Sequence, residues 1–176
     1  MESINGCIVS YAVGNIGQEE IKGNMGFKDD QFEKYMREVG FKDTHAWCAY
    51  FAELCYHKAY QDFDRDKVVE VAKYFSAGAV RTFRKFSKAP GWVVDQTPEV
   101  GAVVIWAKYV NGKPHPKGYG HAAIVVEVFD DHIITVEGNT NKAGGREGIG
   151  VFEKKRKFNF ESTSGLRMLG FIHPKK

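Results

Sequence analysis

Ala46-Trp47-Cys48-Ala49-Tyr50-Phe51 is the stretch on which the reading of this chain turns. It sets a cysteine between a tryptophan and small or aromatic residues, just after a polar segment ending Asp43-Thr44. Apolar residues continue through Leu54 and Tyr56, so the spacing predicts a helix over Thr44 to Tyr60, with Asp43 or Thr44 as its N-cap. The thiol then sits in the first turn. There, unpaired backbone N–H groups and the positive end of the helix dipole favour a thiolate and can hold an oxyanion. Alone, a cysteine on a helix that is apolar nearly all round is most simply a packed hydrophobe. What lifts Cys48 above that reading lies downstream.

Gly120-His121 follows a glycine- and proline-rich loop, Asn111 to Gly120, and opens the β-type run His-Ala-Ala-Ile-Val-Val. A second run, Ile133 to Val136, leads into Glu137-Gly138-Asn139. Asp130-Asp131 marks the turn between them. A three-residue loop there would pair His121 with Asn139 and put Glu137 on the same face one pair further in. An even-numbered loop would turn the faces over. On this reading a nucleophile, a base and two groups able to orient the base occur in that chain order. Glu137 and Asn139 also read simply as a strand end and turn beside Gly138 and Gly144-Gly145.

The rest of the chain reads as helices first and strands later. Helical segments are expected at Gln18 to Gly23, Asp29 to Val39, and Asp66 to about Phe86 with an interruption near Gly78. Strands are expected at Val100 to Trp106, His121 to Val128, Ile133 to Val136, Gly150 to Phe158 and Met168 to Ile172. This is an α+β layout with helices packed on an antiparallel sheet.

The three cysteines have no CxxC pair, which argues against a disulfide framework and a structural zinc site. Cys55 lies seven residues beyond Cys48, about 10.5 Å along a helix axis and out of disulfide reach. Cys7 and Cys55 read as small buried hydrophobes. His45 is placed to tune Cys48; His57, His115, His132 and His173 read as surface or loop residues. No HExxH, GxSxG, phosphate loop or dinucleotide fingerprint occurs.

With 176 residues the chain suits one domain, and 43% hydrophobic with 27% charged residues is ordinary for a globular protein. No apolar run approaches the ~18 residues of a membrane span, and the N-terminus lacks a secretory start. The net charge of +3 is unevenly spread. Residues 1–66 carry 7 Lys/Arg against 12 Asp/Glu, and residues 67–176 carry 18 against 10. The run Lys154-Lys155-Arg156-Lys157 has no interleaved aromatics, so it reads as a solvated face and not a nucleic-acid surface.

Taken together, the motifs resemble the CHAP domain, the cysteine- and histidine-dependent amidohydrolase/peptidase module of phage lysins and bacterial wall hydrolases. The matching pieces are Trp47 to Phe51, Thr97-Pro98-Glu99-Val100-Gly101-Ala102-Val103-Val104, Gly120 to Val125, Glu137-Gly138-Asn139 and the closing Gly170-Phe171-Ile172. They span about residues 10 to 174 of a single domain, residues 1–176, with no separate wall-binding unit. The resemblance implies a papain-like fold, Cys48 as nucleophile, His121 as base, and Glu137 and Asn139 as the polar residues completing the site. Trp47, Trp106 and Tyr109 are candidate substrate-binding aromatics, although core packing suits Trp106 better. Ala102 stands where many members carry Asp and contributes no carboxylate; some members bind calcium through an Asp-rich loop before the cysteine, where this chain has only Asp43 close by, so no metal and no cofactor is expected.

The implied activity is cleavage of an amide in peptidoglycan through a thioester by a monomer with no nucleic-acid or membrane partner. The implied location is the cytoplasm of the producing cell, with action on the wall after release or as a virion component. A binding or structural module without activity, or a cysteine protease or deamidase acting on proteins, would carry the same motifs.

Overall fold

The computed structural model describes residues 3–141 and 148–176; Gly144-Gly145 lies outside them. Among the described residues, five helices precede the strands: α1 (Ile4–Gly14), α2 (Asp30–Glu38), α3 (Cys48–Phe63), α4 (Asp66–Tyr74) and α5 (Ala79–Phe86). Seven strands follow among the described residues: β1 (Val94–Asp95), β2 (Val103–Val110), β3 (Lys113–Pro114), β4 (Gly120–Val128), β5 (His132–Thr140), β6 (Gly150–Lys157) and β7 (Gly165–Ile172). All pairings are antiparallel, in the order β1-β7-β2-β4-β5-β6 with β3 on β2. The α+β layout read from the sequence is the one observed.

Ahead of α3, two segments differ from expectation. Ile4–Gly14 is a helix, capped by the Ser3 side chain accepting from the Gly6 N–H, although its weak amphipathic pattern gave no signal. Gln18 to Gly23 is not helical. Glu19 bridges Gly150 and Glu20 bridges Phe27, with Gly23 and Asn24 at positive φ making the turn. Sheet pairing at the β6 edge wins over local propensity there.

The sheet's alternation sorts its residues onto two faces. Val103, Ile105, Ala122, Ile124 and Val136 join the main core with α1 to α5. Val104, Trp106, Ala123, Val125, Met168 and Phe171 form a smaller cluster on the other face, under Phe158 and Phe160. α3 lies at the centre of the main core, with Ala49, Phe51, Ala52, Cys55, Tyr56, Ala59 and Tyr60 fully buried. Its Tyr56 hydroxyl donates toward the carbonyls of Gly101 (3.1 Å) and Ile172 (3.0 Å), tying the helix to the start of β2 and the end of β7.

The start of α3 is later than the sequence suggests. Thr44 adopts φ +68°, which a helix cannot contain, and its N–H goes to the Asn24 carbonyl at 2.8 Å. Asp43 pairs with Arg37 instead of capping. The N-cap is Trp47, which gives no side-chain cap. It is anchored by its ring. Trp47 is fully buried against Phe27, Phe32 and Phe51, and its indole N–H donates to Glu20 Oε2 at 2.6 Å. Each such aromatic pair adds about 0.5–1.5 kcal/mol beyond area burial, so packing fixes the helix start where a cap would otherwise do so.

Candidate functional site

Because α3 opens at Cys48, the sulfur sits on the first helical residue, in the ring of N–H groups that have no intrahelical acceptor. The backbone N–H groups of Ala49 and of Ala122, the second on β4, favour the thiolate there. Burial alone would push the thiol up. The His121 charge and hydrogen bond, together with these two N–H groups, overcome burial and draw it below its usual value.

His121 stands at the head of β4, opposite Trp106 of β2. The residue before it is a glycine by necessity: a Cβ on Gly120 would lie 2.3 Å from the Trp106 carbonyl oxygen and 2.8 Å from Val80 of α5. Nε2 of His121 is bonded to Glu137 Oε2 at 2.8 Å, which leaves Nδ1 for the thiol. Burial pulls the imidazole down, but the Cys48 charge and hydrogen bond, then Glu137, raise it to about 10. Cys48 and His121 therefore titrate as one pair that favours thiolate and imidazolium.

Glu137 has no exposed surface. Its burial would raise it, yet two hydrogen bonds from Arg156 and one from His121 hold it well below the carboxylate range. Arg156 Nε donates to Oε1 at 2.7 Å and Nη2 to Oε2 at 2.6 Å, and Thr135 Oγ1 donates to Oε1 at 2.7 Å. This is a forked, charge-assisted pair inside the fold.

The register that brings His121 and Glu137 together arises differently from the three-residue loop read in the sequence. Phe129 N–H bonds the His132 carbonyl at 2.9 Å, so the turn is the two-residue Asp130-Asp131. An even loop would have reversed the faces. A bulge at Val126 reverses them back: Val128 pairs with Ile133 and Glu127 with Ile134, but Val125 pairs with Thr135 and Ile124 with Val136. Continuing that register sets Ala123 opposite Glu137 and His121 opposite Asn139.

The carboxylate is the group the imidazole bonds. Asn139 is half-buried at φ +55°, within the irregularity that shifts the β5–β6 ladder between Glu137 and Thr140. Among the described residues no hydrogen bond joins its side chain to His121. Gly138 between them is a point of contact and not a turn, since a Cβ there would lie 2.6 Å from both Phe51 Cβ and Trp47 Cζ3 of α3.

Two of the aromatics expected along a cleft are in the core. Trp47 is fully buried beside Glu20, and Trp106 is 3% exposed, its ring 5.7 Å from that of His121. Tyr109 is partly exposed near the end of β2 under the Arg167 guanidinium, 4.8 Å from its ring. His45 stacks on Tyr50 and bonds its hydroxyl at 3.2 Å, and it is not among the groups acting on Cys48. His173, read as a surface residue, is buried between Asp95 (2.9 Å) and Glu99 (2.8 Å).

Arg156 was not singled out by the sequence, where it belongs to the basic run 154–157. The only clue is strand alternation: Lys155 and Lys157 are exposed, Lys154 and Arg156 are half-buried. Among the described residues no group of three or more His, Cys, Asp or Glu side chains is disposed to hold a metal ion, and no helix is long and apolar enough to cross a membrane.

A family model described as the CHAP domain matches residues 40–139, which hold Cys48, His121, Glu137 and Asn139. No curated protein and no solved structure matches the chain.

Proposed function

Because this chain belongs to the CHAP family, whose activity is of the amidase and peptidase type, we propose that it is a cysteine-dependent hydrolase of amide bonds in peptidoglycan. The observation that carries this reading is the constellation at the start of α3. A buried thiol faces an imidazole whose far nitrogen is held by an ionised carboxylate. That is the arrangement amide hydrolysis by a thiolate requires. A helix carrying the cysteine, packed on the strands carrying the histidine and carboxylate, also suits a papain-like packing.

Cys48 is the nucleophile. Its thiolate attacks the amide carbonyl carbon, and the resulting oxyanion lies at the N-terminal end of α3, where the Cys48 N–H is the default donor. His121 as imidazolium gives its proton to the leaving nitrogen, the C–N bond breaks, and a thioester remains. Neutral His121 then takes a proton from water, whose oxygen attacks the thioester; the carboxylic acid leaves and the thiolate–imidazolium pair is restored. Glu137 is a positioning residue, holding the Nε2–H tautomer so that Nδ1 serves the sulfur.

The test is release of soluble fragments from purified sacculi of several chemotypes by wild type, Cys48→Ala and His121→Ala. New amines in the wild-type digest, reduced by about 10³-fold or more in both variants, are the expected result. Absence of release by a folded wild type whose Cys48 is inert to a thiol probe overturns the reading in favour of a binding module. Absence of release with a reactive Cys48 overturns peptidoglycan as the substrate and points to proteins.

A further inference from the structure

We infer that Arg156 is a positioning residue of this site, which restores the positive charge that Glu137 would otherwise cancel beside the Cys48–His121 pair. The inference rests on the reading of Cys48 as an activated nucleophile.

An orienting carboxylate creates an electrostatic problem. Cys48 is drawn toward the thiolate chiefly by the imidazolium of His121. A carboxylate 2.8 Å from that imidazolium, with no exposed surface of its own, brings a full negative charge into the same low-dielectric interior. With His121 and Glu137 alone, the charges facing the thiolate sum to zero. Arg156 makes the sum +1. It is the only one of the three that cannot be deprotonated at any pH the protein meets.

The geometry shows a built arrangement. Arg156 contacts both carboxylate oxygens, at 2.7 and 2.6 Å, and shares Oε2 with His121. Thr135 bonds the other oxygen, so Glu137 accepts four hydrogen bonds and cannot rotate without breaking several. The guanidinium lies 5.7 Å from the Trp106 ring, and that ring is 5.7 Å from the His121 ring. Arg156 comes from β6 opposite Ile133 and reaches along β5 past Thr135 to Glu137. A solvated face would not require that reach.

The charged groups acting most strongly on this cluster, among the described residues, are its own members: Cys48 from α3, His121 from β4, Glu137 from β5 and Arg156 from β6. Lys154, on the same face of β6, donates to the Asn141 carbonyl, and His45, in the loop before α3, is taken up by Tyr50.

The experiment is the pH profile of Cys48 alkylation by iodoacetamide, with the modified peptide identified by mass to separate it from Cys7 and Cys55. It is run on wild type, Arg156→Gln and Arg156→Lys, with folding checked by circular dichroism. In Arg156→Gln the acid limb of the profile should move up by about one pH unit, a roughly tenfold loss of rate on that limb. The direction holds whether Glu137 stays ionised and cancels His121, or takes a proton and stops supporting the imidazolium. Arg156→Lys keeps the charge and loses the fork, so its limb should stay within about 0.3 unit of wild type while its plateau rate falls, an expectation from charge and geometry.

A folded Arg156→Gln with an unmoved limb overturns the inference, as does a limb in Arg156→Lys displaced as far as in Arg156→Gln. If Arg156→Gln does not fold, the lysine variant decides alone: an unmoved limb with a lowered plateau supports the inference, and a displaced limb overturns it. A wild-type limb at the ordinary thiol value, about 8.5, would instead sink the activated-nucleophile reading itself, so the two failures are distinguishable.

Discussion

Gly138→Ala is the substitution that most directly tests how the sheet and α3 create this site. An added Cβ would lie 2.6 Å from Phe51 Cβ and 2.6 Å from Trp47 Cζ3. Neither neighbour can swing aside. Phe51 Cβ is fixed to the helix backbone, and the Trp47 ring is fully buried among Phe27, Phe32 and Phe51 and bonded to Glu20. Carbon atoms pack at about 3.5–4.0 Å, so β5 and the first turn of α3 must separate by roughly 1 Å. Overpacking of this kind costs about 1–3 kcal/mol, which for a chain of this size lowers Tm by about 2–12 °C. The separation acts on the reacting groups, because Glu137 precedes Gly138 and Cys48 follows Trp47. A misplacement of about 1 Å is expected to reduce the rate about 10²-fold. The assays are thermal unfolding by circular dichroism and the rate of Cys48 alkylation at fixed pH. Gly14→Ala is the control: it lies at the end of α1 with nothing within 4 Å of an added Cβ, and should leave both readouts unchanged or raise Tm slightly. A Gly138→Ala protein with wild-type Tm and alkylation rate would refute the close-contact account and return Gly138 to the role of a turn glycine.

Glu137→Gln should lower the alkaline limb of amide hydrolysis, because His121, raised to about 10 by Cys48 and then Glu137, loses one of its supports. It should also cost about 3 kcal/mol, the low end for breaking a buried pair, since the Arg156 side chain is 32% exposed and can reach water; the checks are a pH–rate profile and chemical denaturation. At the other end of the sheet, burial would raise Asp95 and Glu99, but the hydrogen bonds of His173 hold both below the ordinary carboxylate range. Depressed carboxylates stabilise the fold above their unfolded pKa and lose that contribution as pH falls through the folded value. Asp95→Asn should therefore narrow the stability gap to wild type as pH drops below about 4, measured as Tm against pH.

The order Cys48, His121, Glu137 and the helices-then-strands layout were legible because both are local properties. A helix or strand declares itself by the period of its apolar residues, and a nucleophile and base announce themselves by residue type. The expected pairing of His121 and Glu137 rested on a loop length that the chain does not use. A two-residue turn and the bulge at Val126 each reverse the faces, and the two reversals cancel. No local feature of the β4–β5 sequence marks Val126 as the extra residue; that choice follows from which face of β4 can meet the helices. Similarly, Asp43-Thr44 carries good cap residues, yet α3 begins at Cys48 because Thr44 is bound to Asn24 and Trp47 is locked in an aromatic cluster assembled from distant segments.

The sequence by itself thus determined which groups this protein has for chemistry and which elements carry them, since periodicity and residue type act over a few neighbouring positions. Only the tertiary structure decided which groups meet. It withdrew Trp47 and Trp106 into the core, chose Glu137 over Asn139 as the partner of His121, and brought Arg156 from a basic run onto the Glu137 carboxylate. The physical reason is that burial makes an unpaired charge expensive. A fully buried Glu137 requires cationic partners, and the strand that supplies Arg156 lies 19 residues further along the chain.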